Sequence, residues 1–412
     1  MSLDAVRELG QKLTPAAEDA GERRLIGVLG LGVVGLTWSL TTVAAYLPEI
    51  LHRFTSSRTV VGGILGGEGL VAIAAPLVFG PLSDRLRTRH GRRRPFMAVG
   101  APLMVAALAV VALMPGLVWT AIVLGCFFVA YYVYETPYRS LYADCLPRGV
   151  ESEAQSVQHL FRGVAIGLSL VLGGVLLSLA RPLPFLLSAG IVAASAFVVI
   201  RGVHERSGRD RQRGRATEPF RLALRSGPLR RFLVANTAWE TTFAGMRTFV
   251  VLYIVQGLKQ PLYVSSVVLA VVAAGYIVAA ATVGRLASAA GTARVIFGAA
   301  VVYGGLLWVG VFPSHWHWYY LALVFVVALA AGAVMTLAWS LLYEVMPEGE
   351  RGSSAGLGDA TKGAGLLIGP ALTGLAIDLA HDWLSTTDGY AIMWPVLALP
   401  IVLTLPVVRS LR

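Results

Sequence analysis

Charged residues are scarce in this chain of 412 residues: Asp, Glu, Lys and Arg make up 14% of it, against about 25% in an average soluble domain. Hydrophobic residues make up 56%, and the mean hydropathy is +0.70. The shortage of charge excludes an ordinary cytosolic enzyme, and the apolar content excludes a disordered chain. The composition therefore predicts a protein that crosses a membrane many times.

Cysteine and lysine are also rare. The two cysteines, Cys126 and Cys145, lie in one apolar segment, about 28 Å apart along a helix that rises ~1.5 Å per residue, so they cannot form a disulfide. Lysine is far outnumbered by arginine, which gathers in two stretches between apolar runs, 85–94 and 201–231. Basic residues so placed orient a membrane protein. We therefore expect no nucleic-acid partner.

Twelve apolar segments are long enough to span a bilayer, which takes about 20 residues of helix. They fall into two groups of six, over 25–200 and 232–408. We predict an all-α membrane protein of twelve transmembrane helices in two six-helix bundles. The predicted spans are 25–51, 60–83, 95–116, 118–143, 154–179 and 183–200 in the first bundle, and 232–256, 262–284, 295–312, 318–343, 354–378 and 389–408 in the second.

The segments outside the bundles predict an orientation. Residues 1–24 are polar and lack the apolar core of a cleavable signal peptide, so we expect them to stay in the cytosol. Threading the chain from there places the basic linker 201–231 and the tail 409–412 in the cytosol too, with most of the arginines. We predict a multi-pass protein of the cell inner (plasma) membrane, with both termini cytoplasmic, that acts as a monomer.

Polar and aromatic side chains concentrate in spans 1, 4, 7 and 10. A charge near the bilayer centre costs at least ~2.5–3.5 kcal/mol, so these groups predict a water-accessible cavity between the bundles, as in a transporter. Spans 3, 6, 9 and 12 contain no charged residue and are expected to face lipid. The predicted substrate-binding residues are Trp38, Thr42, Tyr46, Tyr131, Glu135, Arg139, Trp239, Glu240, Arg247 and Trp339.

The two halves of the chain match at an offset of 200 residues, which indicates an internal repeat. Gly91 and Arg94 correspond to Gly291 and Arg294, for example. Spans 2, 5 and 11 carry glycines at the spacing that lets helix backbones approach closely, so we expect them to pack against one another across the halves. These glycines are Gly62, Gly63, Gly66, Gly67, Gly163, Gly167, Gly365 and Gly369.

The sequence GPLSDR at 80–85, followed by GRRRP at 91–95, resembles the signature between spans 2 and 3 of the major facilitator superfamily. The sequence PYRSLYAD at 137–144 is similar to an element of its cation–sugar symporter branches, the sucrose-transporter type and the glycoside–pentoside–hexuronide type. The resemblance implies two bundles that rock about a central site. It also implies that Asp84 docks at the start of span 11 and latches the cytoplasmic side. The expected cytoplasmic gate residues are Asp84, Arg85, Gly91, Arg92, Arg93, Asp144 and Glu344.

Glu135 and Arg139 lie four residues apart, on one face of span 4. In the sucrose-type relatives the matching arginine serves the substrate and proton site, and the resemblance implies that role for Arg139. Glu135 would hold Arg139 when ionised and release it when protonated. The alternative is a structural ion pair without substrate contact.

Proton coupling has three candidate carboxyls, because the aspartate that plant sucrose transporters use is replaced here by Phe128. The candidates are Glu135, Glu68 and Glu240. Glu68 stands alone among glycines, so it is expected to be neutral or bonded to a neighbouring backbone. Glu240 shares a face with Arg247 and is expected to line the cavity.

Four further charged groups begin spans 5 and 11 at matching repeat positions: His159, Arg162, Asp359 and Lys362. We expect them to form salt bridges near the cytoplasmic mouth. His315 and His317 lie in an outer loop and could bind a metal, but the tryptophans beside them fit an aromatic belt at the membrane surface. We therefore expect no metal.

No glycine-rich loop ends in Gly-Lys-Ser or Gly-Lys-Thr, so an ion gradient rather than ATP is expected to drive transport. We predict a proton-coupled symporter of a sugar or glycoside, without a cofactor. The alternative is a proton-driven exporter of drug-like or amphipathic molecules. A membrane-embedded enzyme is not expected, because no paired carboxylates, Ser/His arrangement or metal ligands cluster at one depth.

Overall fold

The structure is a computed structural model, and it describes residues 20–85, 88, 91–145, 151–203, 226–310, 315–346 and 351–411. Twelve long helices and no strands form within these ranges. The first six are α1 Ala20–Leu51, α2 Arg58–Arg85, α3 Arg94–Val111, α4 Leu117–Cys145, α5 Glu151–Leu179 and α6 Leu183–Gly202. The last six are α7 Gly227–Leu252, α8 Leu262–Ala290, α9 Thr292–Val309, α10 Tyr320–Val345, α11 Arg351–Ala380 and α12 Met393–Arg409.

Short irregular segments separate the helices where the sequence carries proline or glycine. A π-helical turn, Tyr253–Gly257, ends α7, and Pro261 directly precedes α8. Gly291 has a φ of +92° between α8 and α9, a backbone conformation that costs glycine little. The predicted linker 201–231 is only partly described: α6 reaches Gly202 and α7 begins at Gly227, and residues 204–225 lie outside the described ranges.

Eleven of these helices are long and apolar enough to cross a membrane by length and composition. The exception is α7, whose composition includes Asn236, Glu240 and Arg247. Most of α7 is buried against α1, α10, α11 and α12. Protein therefore surrounds its polar groups, which is where polar groups of a membrane helix are tolerated.

The helices pack as two bundles, α1–α6 and α7–α12, as the sequence predicts. Within the first bundle α1 lies against α5 and α6, and α3 lies against α4 and α6; in the second bundle α7 lies against α11 and α12, and α9 lies against α10 and α12. Because the helices alternate in direction, α1 begins and α12 ends on the same side. We call that side the terminal end, and the opposite side the distal end.

Helices α2 and α11 meet across the bundle boundary, backbone against backbone. A Cβ atom on Gly62 would stand 2.1 Å from the carbonyl oxygen of Pro370, and one on Gly69 would stand 2.3 Å from that of Gly363. Only glycine permits this approach. The prediction that the glycine-rich spans 2 and 11 pack across the halves is confirmed.

Helix α5 crosses the boundary elsewhere. It lies against α8, with Gly167 near Ala273 and Gly174 against the hydroxyl of Ser266. The expectation that span 5 packs against spans 2 and 11 is therefore wrong. The two bundles therefore meet along two separate seams. In one seam α2 packs against α11, and in the other α5 packs against α8.

Candidate substrate cavity and its ion pairs

Eight charged side chains lie inside the helices, away from both ends of the bundle, and we call them the central charge cluster. They are Glu68, Glu135, Arg139, Arg162, Arg247, Glu240, Asp359 and Lys362. Groups of this kind are costly in a membrane unless they pair or face water. Their partners therefore indicate what the middle of the protein can do.

Arg139 holds two carboxylates at once. Its Nε lies 2.7 Å from Glu135 Oε1 on its own helix, and its Nη1 donates to both carboxylate oxygens of Asp359 at 3.0 Å. Asp359 belongs to α11, so this contact joins the two bundles. The side chain of Arg139 remains 37% exposed, which leaves the guanidinium accessible to water or a ligand.

A second ion pair joins the bundles nearer the distal end. Arg247 Nη2 of α7 lies 2.8 Å from Glu68 Oε2 of α2, and the Glu68 side chain is 4% exposed. The expectation that Glu68 is isolated is therefore wrong: the glycines beside it bring other helices close enough for Arg247 to reach it. Arg247 turns to Glu68 rather than to Glu240, which lies on its own helix.

Glu240 is buried, with 7% of its surface exposed, and makes no hydrogen bond or ion pair with the described residues. Lys362 of α11 and Arg247 are the cations within electrostatic range of it. It packs against the backbone of α11 at Gly365. The structure thus places an unpaired carboxyl in the seam between α7 and α11.

Aromatic side chains lie next to the central charge cluster. The buried Tyr131 ring contacts Phe127 and Tyr132, with ring centroids 6.1 and 5.1 Å apart. Trp339 of α10 is half-buried beside Tyr343 and Gly358. Tyr131 is 8% exposed, so of the two rings Trp339 is the one with a partly open face for a ligand.

Three predicted substrate residues, Thr42, Tyr46 and Trp239, form hydrogen bonds inside a single bundle instead. Thr42 hydrogen-bonds Ser188 of α6 at 3.1 Å, and the hydroxyl of Tyr46 donates to the carbonyl of Leu170 in α5. Trp239 donates to Thr404 of α12 at 3.1 Å. Trp38 is buried as well. The structure therefore gives Thr42, Tyr46 and Trp239 bonds that join helices of one bundle, and it brings none of these three into the central charge cluster.

Sequence reasoning placed Asp359, Arg162 and Lys362 in salt bridges near the cytoplasmic mouth. Asp359 does form one, with Arg139. Arg162 and Lys362 form none with the described residues, and Arg162 Nε is buried without a hydrogen-bond partner; the side chain of His159 lies outside the described part.

At the distal end, Asp378 of α11 caps the first turn of α2. Its carboxylate accepts hydrogen bonds from the backbone N–H groups of Arg58 and Thr59 and from the hydroxyls of Ser57 and Thr59, all at 2.8 Å. A carboxylate at a helix N-terminus is favourable because it satisfies free N–H groups and the helix dipole. Asp378 is not among the site residues that the sequence predicts.

Further contacts close the distal end. The Arg58 guanidinium lies over the ring of Tyr390, 5.2 Å from its centroid, and Gln256 of the second bundle donates to Glu49 of α1 at 3.4 Å. His52 lies just beyond α1. Its burial, followed by the charge of Arg58, lowers its pKa from the ordinary value of 6.5, against the opposing influence of Asp388 and Asp378.

The predicted cytoplasmic gate lies only partly in the described structure. The side chains of Asp84, Arg85 and Asp144 fall outside it, so the expected docking of Asp84 stays a prediction. Gly91 has a φ of +102° and bonds Thr88 in a tight turn. Arg93 Nη1 donates to the hydroxyl of Ser83, while Arg92 is half-buried beside it.

Glu344 was expected at the cytoplasmic gate. It is exposed and accepts a hydrogen bond from Thr292 at the start of α9. Both residues belong to the second bundle. The described structure therefore shows Glu344 joining two neighbouring helices rather than the two bundles. Within the described residues, no three His, Cys, Asp or Glu side chains are grouped so that they could hold a metal ion.

A sequence model of the Major Facilitator Superfamily matches residues 27–407. No curated protein matches the sequence. Solved structures share the fold at low identity. The nucleoside transporter NupG has a TM-score of 0.73 and 14% identity, covering 95% of this chain and 99% of that one.

A bacterial homologue of the human lysosomal transporter Spinster, inward-facing and unoccupied, has a TM-score of 0.73 and 11% identity, covering 96% of both chains. The human organic anion transporter MFSD10 has a TM-score of 0.67 and 17% identity, covering 94% of this chain and 99% of that one. At these identities the likeness extends to the fold alone.

Proposed function

Because the chain belongs to the Major Facilitator Superfamily, we propose that it is a proton-coupled symporter that carries a sugar or glycoside by alternating access. The protein lies in the inner (plasma) membrane, with its terminal end facing the cytoplasm. The observation that carries the proposal is the position of Arg139, bound at once to Glu135 on its own helix and to Asp359 on the other bundle.

Proton coupling follows from the number of carboxylates that Arg139 serves. With both ionised, the guanidinium is divided between two partners. Protonation of Glu135 removes its negative charge, so Arg139 then pairs with Asp359 alone. The contact between the bundles becomes stronger as a result. The proton on Glu135 therefore favours closure near the terminal end, and its release loosens that closure.

Glu240 and Glu68 remain candidates for the same role. Glu68 is neutralised by Arg247, so protonating it would break the second ion pair between the bundles. Glu240 has no ion-pair partner among the described residues, and a buried carboxyl without one gains least by staying ionised. We assign proton binding to Glu240 and Glu135, and a structural contact between the bundles to Glu68.

A sugar or glycoside fits the groups that surround Arg139. A guanidinium offers donors for hydroxyl oxygens, and the half-buried ring of Trp339 can stack on a sugar ring. A nucleoside is itself a glycoside, and the transporter NupG with the same fold carries nucleosides. Nucleosides therefore belong among the substrates to be tested.

The test is uptake of labelled disaccharides and nucleosides into proteoliposomes, with and without an inward proton gradient. We expect accumulation that needs the gradient and that falls by about 100-fold in Arg139→Ala, since hydrogen bonds to charged groups contribute ~1.5–3 kcal/mol and Arg139 supplies them to two carboxylates. Glu240→Gln and Glu135→Gln should lose accumulation against the gradient but keep exchange. The matched control is Glu22→Gln, in the first turn of α1.

Two results would overturn the proposal. Uphill uptake by both glutamine variants at the rate of the unmodified protein would remove proton coupling from these residues. If no sugar or nucleoside moves, but an amphipathic compound drives proton flux outward, the protein is an exporter and Arg139 belongs to a gate.

A further inference from the structure

An apolar groove of about 350 Å³ runs between α8, α9 and α10 of the second bundle, and we call it the outer groove. Small side chains form its floor, where Ala330 and Ala333 are 7% and 9% exposed, and the larger Leu286 and Val302 form an exposed rim. A Cβ atom on Gly298, which also lines the groove, would meet no atom within 4 Å. The outer groove is therefore open space along helices that are long and apolar enough to cross the membrane.

A polar cavity of about 390 Å³ lies at the terminal end of the same three helices, and we call it the terminal cavity. Its polar lining consists of the hydroxyls of Ser288, Thr292 and Ser340 and the carboxylate of Glu344. One oxygen of Glu344 accepts the hydrogen bond of Thr292, and the other accepts none from the described residues. None of the described residues that line the cavity is basic. The terminal cavity therefore offers one negative charge, which suits a cationic group.

The outer groove and the terminal cavity are continuous along one face of α10. Going toward the terminal end, that face presents Val326, Ala330, Ala333, Leu337, Ser340 and Glu344. Successive members are three or four residues apart, which is the spacing of side chains on one side of a helix. Ala279, Val283 and Ala287 continue in the same way on α8. The lining thus changes from apolar to polar toward the end of the span, where a helix reaches the membrane surface.

The chemistry of this lining matches that of a phospholipid, which joins an apolar chain to a polar headgroup. Exclusion of water does not drive a lipid chain into the groove, because lipid tails are as apolar as the helix surface. The chain gains dispersion contacts instead, which atoms lining an empty space lack. Such contacts do not distinguish one phospholipid from another. Selectivity therefore has to come from the headgroup in the terminal cavity.

We propose that the outer groove and the terminal cavity together bind one phospholipid with a primary ammonium headgroup, taken from the leaflet on the terminal side. The acyl chain lies in the groove, and the ammonium binds the carboxylate of Glu344. An ammonium donates up to three hydrogen bonds. Ser288 donates its own hydrogen to Gly284 and so presents its oxygen as a further acceptor. This site is separate from the substrate cavity and goes beyond the proposed function.

The experiment counts the lipids that the purified protein retains, by native mass spectrometry. The probes are phosphatidylethanolamine, phosphatidylcholine and phosphatidylglycerol with identical acyl chains. Choline keeps the positive charge of ethanolamine but has no N–H group to donate, and glycerol has no positive charge. We expect one phosphatidylethanolamine to bind about tenfold more tightly than either of the others, within the range that a hydrogen bond to a charged group contributes.

Two substitutions test the two parts of the site. Glu344→Gln keeps an acceptor for Thr292 but removes the charge, so it should abolish the preference for phosphatidylethanolamine, whereas Glu344→Asp should keep part of it. Gly298→Leu places a side chain in the outer groove and should weaken binding of all three lipids by about tenfold or more. The matched control is Gly190→Leu on α6, an exposed position where a Cβ also meets no atom within 4 Å.

Equal binding of the three lipids, a preference for phosphatidylglycerol, or a preference that Glu344→Gln retains would overturn the ammonium site. Equal retention of lipid by Gly298→Leu and Gly190→Leu would overturn the outer groove as the place of the chain. The measurement counts bound lipid rather than transported substrate. The site therefore stands or fails independently of the proposed function.

Discussion

Helix α11 contacts the first bundle through two aspartates, and the two contacts have different partners. Asp378, at the distal end, receives hydrogen bonds from backbone N–H groups and hydroxyls in the first turn of α2. Asp359, toward the terminal end, binds the guanidinium of Arg139, which also binds Glu135. Backbone N–H groups and hydroxyls of α2 therefore hold the carboxylate of Asp378, whereas a side chain that is shared with a second acid holds the carboxylate of Asp359.

The difference concerns what is left behind when the contact breaks. When Asp378 separates from α2, the backbone N–H groups of Arg58 and Thr59 lose the carboxylate that accepts their hydrogen bonds. Separation of Asp359 from Arg139 leaves the arginine still paired with Glu135 on its own helix. Breaking the distal contact therefore leaves donors without an acceptor, whereas breaking the terminal contact leaves Arg139 with a carboxylate that it already binds.

The largest effect is expected from Asp378→Asn, which places an amide donor against an N–H group of Arg58 or Thr59. Losing an acceptor for a buried N–H costs ~1–3 kcal/mol, so the ratio of distal-closed to distal-open protein should fall by about tenfold or more. Spin labels on cysteines introduced at the exposed positions Arg53 and Trp383, with Cys126 and Cys145 replaced by serine, would report a longer distance between the bundles.

The same substitution on the same helix, Asp359→Asn, is the matched comparison. Because Arg139 keeps Glu135, we expect a smaller shift in the distribution of distances at the terminal end than Asp378→Asn produces at the distal end. A larger shift at Asp359 would contradict the contrast between fixed and exchangeable contacts.

A moderate effect is expected from Gly62→Ala. Its Cβ would stand 2.1 Å from the carbonyl oxygen of Pro370, and forcing an extra methyl group into a packed seam costs ~1–3 kcal/mol. Uptake should fall by about tenfold, and the distal label distance should lengthen.

Gly63→Ala provides the control, because a Cβ there meets no atom within 4 Å. It should leave uptake and the label distance unchanged. If both alanine variants gave the same uptake and the same label distance, the seam between α2 and α11 would accommodate a methyl group without cost. The close glycine packing would then not be what holds the distal end closed.

The smallest effect is expected from His52, which lies outside the spans. Because burial and Arg58 lower the pKa of His52, its neutral form is favoured in the closed distal end. Its contribution to closure is complete above the ordinary pKa of 6.5 and is lost as the pH falls through that value toward the lowered one. Acidification should therefore open the distal end by less than about tenfold.

His52→Gln should remove that dependence on pH while leaving closure at neutral pH unaltered. Label distances measured on either side of the ordinary pKa would test it. Identical pH profiles for the variant and the unmodified protein would assign the response to another group.

The helices could be predicted from the sequence because bilayer thickness and apolar length are tightly linked. Each predicted span corresponds to one helix, with bounds that differ by a few residues. The pair of Glu135 and Arg139 also follows from local spacing, since residues four apart meet on a helix. Glycine spacing predicts the close seam between α2 and α11 for the same reason.

The contacts between the bundles could not be predicted in this way. Glu68 meets Arg247, and Arg139 meets Asp359, only because two seams fix the rotation and depth of helices far apart in the chain. Polarity alone cannot show whether a group faces the cavity or a neighbour in its own bundle, so Thr42, Tyr46 and Trp239 were assigned to the cavity although they bond within a bundle.

The polarity of α7 has a consequence for how the protein is made. A helix whose composition does not favour the bilayer is poorly retained there by itself during synthesis. Arg247 finds its acid on α2, and Glu240 packs against α11, so α7 gains its partners from segments made both before and after it. Stable insertion of α7 therefore depends on helices from both halves, and it is complete only once α11 has followed α7 into the membrane.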